Sequence, residues 1–158
     1  MFAVVFTWWD AWIFWPLKMA VVALHELSHA LATWLTGGEV VGFGLGLDQS
    51  GHVLSRGGSP LIILNAGYLG SLGFGLLLLL AARRPGWDLR RFAMRFFGLF
   101  SVLYALVDVR DDVFTGAGRS DATMLAELTH VPALLWGLGW IGAGLGVVWL
   151  LRRPLFFP

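Results

Sequence analysis

Long apolar runs separated by short polar interruptions dominate this chain, and their lengths predict its elements. The first run, about Leu17 to Leu35, approaches the roughly 20 residues that cross a bilayer as a helix, and Thr36-Gly37-Gly38 ends it. Ahead of it, residues 2–15 are apolar and aromatic, broken by Asp10 and closed by Pro16; they read as an interfacial segment or as the start of a kinked helix. Residues 39–56 change character. Two short runs flank Asp48-Gln49-Ser50-Gly51, the signature of a β-hairpin, and Gly42, Gly44 and Gly46 leave one face of its first strand bare. Further spans are expected over about Pro60–Ala82, Phe92–Val109 and Val131–Leu151, with small residues spaced for close helix packing. The pattern therefore predicts an all-α membrane protein, one domain over residues 1–158, with about four transmembrane helices and a small β-hairpin between the first two.

Composition agrees. Of 158 residues, 58% are hydrophobic and 13% charged, and the mean hydropathy of +0.75 makes lipid the solvent for most of the chain. Nine Trp and twelve Phe suit aromatic belts at the two membrane surfaces. The N-terminus lacks the basic region and cleavage site of a signal peptide, so the first span is expected to direct insertion. Arg83, Arg84, Arg90, Arg91 and Arg95 stand against Asp88 alone, which places that loop in the cytoplasm and the hairpin outside. A net charge of +1 carries no information about partners; none of nucleic acid is expected, and oligomeric state is left open.

The chemistry lies in the first span. His25 and His29 are one helical turn apart and share a face, so both imidazoles can reach one metal ion. Glu26 follows the first by about 100° of rotation, placed to act as a base on water without binding the metal. Without cysteine, thiolate ligands are excluded, and histidine, aspartate or glutamate must complete the set. The candidates for a third ligand are Asp108, Asp111, Asp112, Asp48, His52, Glu127 and His130. Asp108 is the first acid reached from the membrane side and is preferred, with Asp111 and Asp112 left open. Asn65, an amide in an apolar span, is a candidate for binding substrate backbone or for bonding a neighbouring helix. Retention of Glu26 beside both histidines favours a hydrolase over a non-catalytic metal-binding or helix-binding scaffold.

The helix bearing His25-Glu26-Leu27-Ser28-His29 resembles the site-2 protease family of intramembrane zinc metalloproteases, in particular its short bacterial branch lacking a PDZ domain. The likeness continues through Thr36-Gly37-Gly38, Gly51-His52-Val53 and Asn65-Ala66-Gly67-Tyr68-Leu69-Gly70-Ser71. It extends over Tyr104 to Asp112, Ser120-Asp121-Ala122 and Trp136-Gly137-Leu138-Gly139-Trp140. Two departures stand out: Tyr68 replaces the proline of better-known members, and Val107-Asp108-Val109 replaces their Leu-Asp-Gly. The resemblance implies a zinc cofactor and a three-helix catalytic core whose third-helix Asp, by resemblance Asp108, completes the ligands. It also implies a transmembrane protein substrate cleaved in the lipid bilayer, and a multi-pass location in a bacterial cytoplasmic membrane.

Overall fold

A computed structural model describes residues 9, 11–82, 88–114 and 120–156, with the side chains of 112, 114 and 151–156 left aside. The expectations for residues 2–8, Arg83 and Arg84 and for the Asp112 side chain lie outside the described residues. A 3-10 turn at Trp12–Phe14 runs into helix α1, Trp15–Leu35, with Pro16 in the first turn, where its missing N–H costs nothing. Strands β1, Glu39–Leu45, and β2, Gly51–Arg56, pair antiparallel as expected. Helices α2, Pro60–Ala81, α3, Asp88–Phe114, and α5, Ala133–Phe156, follow the remaining apolar runs. Helix α3 is longer than expected because the polar residues at both of its ends continue the helical turn.

One element was not anticipated. Residues 121–129, between the last two expected spans, form a short helix α4, Asp121–Thr129. Its start is a reciprocal cap: Thr123 N–H donates to Ser120 Oγ (3.3 Å) and Ser120 N–H to Thr123 Oγ1 (2.9 Å). Ala122 and Leu125 plug it, fully buried, into a core of Leu64, Tyr68, Val109 and Trp140 from the three long helices.

Among the described residues, three helices are long and apolar enough to cross a membrane: Pro60–Ala81, Asp88–Asp111 and Ala133–Leu150, with hydropathies of 1.7 to 1.8. Helix α1 has the length, 21 residues, but Lys18, His25, Glu26 and His29 lower its hydropathy, and it is not among them. Of the four expected spans, three thus meet the criterion. Leu77, Leu145 and Leu150 are each more than half exposed, as side chains facing lipid would be.

Helices α2 and α3 approach to backbone contact. A Cβ on Gly75 would lie 2.8 Å from the Gly98 carbonyl oxygen, and one on Gly98 2.9 Å from that of Gly75. Buried Ser101 donates to the Ser71 carbonyl beside this crossing (2.9 Å). Helix α1 packs elsewhere: Val21 and Val22 meet Phe100, Leu103 and Tyr104, while His25 and His29 reach Gly67. Gly67 is seven residues into α2, so the histidines lie about 10 Å from the start of that helix. The site is thus nearer the end of the bundle that carries α4.

The Gly75–Gly98 crossing makes a differential prediction. Gly75→Ile should lower the thermal unfolding temperature in detergent, overpacking costing about 1–3 kcal/mol. Gly73→Ala, with no neighbour within 4 Å, should leave it unchanged.

Candidate metal centre

His25 and His29 point from α1 toward α2, and Asp121, at the first turn of α4, meets them. Asp121 Oδ2 lies 3.2 Å from His25 Nε2 and 3.0 Å from His29 Nε2. Among the described residues this is the single group of three such side chains whose ligand atoms all fall within 4.8 Å of one another. His29 Nδ1 is 2.7 Å from the Ile63 carbonyl oxygen, which can only accept, so Nδ1 carries the hydrogen. A neutral His29 therefore turns a lone pair at Nε2 toward a carboxylate. Two acceptors at 3.0 Å require a proton or a cation between them. Tetrahedral zinc with ligand bonds of about 2.0–2.2 Å separates its ligands by roughly 3.3 Å, which the observed spacings approach. The donor set fits zinc: two imidazoles, one carboxylate, and a carbonyl fixing one imidazole's tautomer.

The carboxylate is suited to that part. Burial alone would raise the Asp121 pKa, but where the two imidazoles carry protons their hydrogen bonds and charge outweigh it and hold the carboxyl below the ordinary carboxylate range, and a cation in place of those protons acts in the same sense. Asp121 is therefore anionic at neutral pH.

Two glycines shape the surroundings. A Cβ on Gly67 would collide with His25 Nε2 and lie 2.5 Å from His29 Nε2, so only glycine leaves room for the converging nitrogens. A Cβ on Gly51, where β2 begins, would lie 2.5 Å from Glu26 Oε1. The hairpin thus covers Glu26. Glu26 is 7% exposed and lines a cavity of about 340 Å3 together with His25, His29 and Asp121. Tyr68 packs edge-on against His25 (centroids 4.8 Å apart, 84°) and against Trp140 on its other side, which fixes the His25 ring in place.

A family model described as Peptidase M50B-like matches residues 1–89 and 83–151. The chain belongs to the Peptidase M50B-like family. No curated protein and no solved structure matched it. Its membership bears out the resemblance to site-2 proteases that the motif carried.

Within this M50B-like chain the other candidates fall out as follows. Asp108 lines the same cavity but is not part of the three-residue cluster, where Asp121 takes the position expected of it. The reason is α4, which folds back beneath α2 and α3 and brings a residue from beyond the third long helix to the histidines. Asp111 is ion-paired with Arg110 (2.6 Å). Asp48 caps the hairpin turn, accepting from Ser50 Oγ (2.6 Å), and His130 closes α4 in a left-handed conformation. His52 borders the cavity and Glu127 is exposed. Asn65 is not in the cavity wall: its Oδ1 accepts from Trp140 Nε1 (3.0 Å) and its Nδ2 donates to Leu61 O (2.8 Å), the helix-bonding alternative. The substrate-binding expectation for Asn65 thus gains no support from its position. Asp121 had one sequence signal, a serine followed by an acid, which marks a helix start.

Gly67→Ala, though it removes no ligand atom, should weaken zinc affinity roughly 10–100-fold, the range for groups that position ligands. Asp121→Asn should weaken it further and Asp108→Asn should not. Competition against a fluorescent chelator measures all three; equal affinities for the Asp121 and Asp108 variants would refute the assignment.

Proposed function

We propose that this chain is an intramembrane zinc metalloprotease, a single transmembrane domain that hydrolyses peptide bonds within or next to the membrane segments of other membrane proteins. One observation carries the reading. A buried carboxylate, Glu26, shares a cavity with three convergent metal donors, and no hydrogen bond ties it down among the described residues. A pure metal holder has no use for that group. Peptidases of the M50 family are zinc enzymes, and three apolar helices supply the membrane setting. On this reading α1 is the fourth span, tolerated in lipid because its polar residues face the cavity. The location is a bacterial cytoplasmic membrane.

His25, His29 and Asp121 would hold the ion and leave one position open. Zinc there would lower the pKa of a water molecule to near neutrality and polarise the scissile carbonyl. Glu26 accepts the proton as that water attacks, then returns it to the leaving nitrogen. Gly51 keeps the hairpin close over Glu26 without displacing it. Gln49 to Val53 line the cavity as one continuous run, whereas β1 does not. A substrate unwound to an extended strand would therefore add to the free edge of β2, its backbone bonded by the strand and its scissile bond beside Glu26.

Glu26→Gln should retain about one zinc per chain, as the two histidines and one acid require. It should slow cleavage of a helical membrane substrate about 10²–10⁴-fold, the usual weight of a general base. Zinc-loaded wild type without any cleavage would instead favour a metal-binding scaffold.

A further inference from the structure

Beside the metal cavity lies a second one of about 400 Å3, walled by the start of α1 and the end of α3. It and the metal cavity share two residues, Gln49 of the hairpin turn and Asp108 of α3. Its walls are graded. At the rim are Arg110 and Asp111, an exposed ion pair with side chains 61% and 46% accessible. Deeper are half-buried Val107 and Asp108 and, on the facing helix, Lys18, only 6% exposed, its ammonium 4.6 Å over the Trp9 ring.

Charged and polar side chains thus line the space from its rim inward, and a space walled in this way takes up water. At about 400 Å3 it has room for several waters.

We propose that this second cavity is the water vestibule of the metal site, and that Asp108 and Gln49 form the threshold through which water passes from the Arg110–Asp111 rim to the cavity of Glu26. Asp108 is then a positioning residue for incoming water, and its place in the shared wall accounts for an acid so near the histidines that does not join them. The proposal rests on the hydrolase reading for its purpose, but its hydration stands or falls separately.

The chain has no cysteine, so a single introduced thiol reports its own surroundings. In the full-length protein in lipid vesicles, Val107→Cys should react with a hydrophilic, membrane-impermeant thiol reagent at least about tenfold faster than Leu77→Cys on the lipid face, because only a hydrated thiol ionises. Val107→Trp, which fills the vestibule without touching a proposed ligand, should keep its zinc yet cleave at least about tenfold more slowly, water being the nucleophile. Labelling of Val107→Cys as slow as that of Leu77→Cys overturns the vestibule, as does full cleavage by zinc-loaded Val107→Trp. Fast labelling in a protein that never cleaves supports the vestibule and refutes the protease reading instead.

Discussion

An imidazole whose Nδ1 hydrogen is committed to a carbonyl can offer only a lone pair at Nε2, and His29 turns that lone pair on a carboxylate 3.0 Å away. His25 brings a second nitrogen to the same oxygen. Such a meeting of acceptors, enclosed by helices, is repulsive unless positive charge lies among them. Much of the architecture serves to hold it together. Gly67 lets α1 close on α2, Tyr68 and Trp140 pack behind His25, and Ala122 and Leu125 anchor the short helix that delivers Asp121.

The same constraint orders the membrane-facing parts. The three most apolar helices carry none of the metal donors on α1 or α4, and α2 and α3 are locked together at Gly75 and Gly98, away from the donors. Polar cost is gathered instead along α1 and the groups that face it. There two cavities, a hairpin and an exposed ion pair provide the hydration that titratable side chains need. The hairpin follows α1 back from Thr33, which bonds Ser55, to Trp15, whose Nε1 donates to Leu47 O. It therefore roofs the whole length of the helix that bears Glu26.

Much of this was legible in the chain itself. Run length gave the long helices, turn residues gave the hairpin, and the one-turn spacing of His25 and His29 gave the pair of imidazoles that share a face. The carboxylate that meets them in the structure was not legible, for a physical reason. Acids were weighed by their distance along the chain from the end of the third apolar run, which favours Asp108. Asp121 lies thirteen positions further on, in a segment polar enough to pass for a loop, and only the burial of Ala122 and Leu125 turns that segment back under the bundle. Asn65 illustrates the same distance: an amide in an apolar run needs a partner, and the indole of Trp140, 75 residues away, supplies it.

The decisive question is whether Asp121 shares an ion with His25 and His29. X-ray absorption at the zinc edge answers it directly, since a protein without cysteine contributes no thiolate of its own. In Asp121→Cys, zinc should acquire one sulfur neighbour at about 2.3 Å beside two imidazoles, while in Asp108→Cys it should show none. Sulfur in the zinc shell of Asp108→Cys and not of Asp121→Cys would contradict the assignment and return the third ligand to the third long helix.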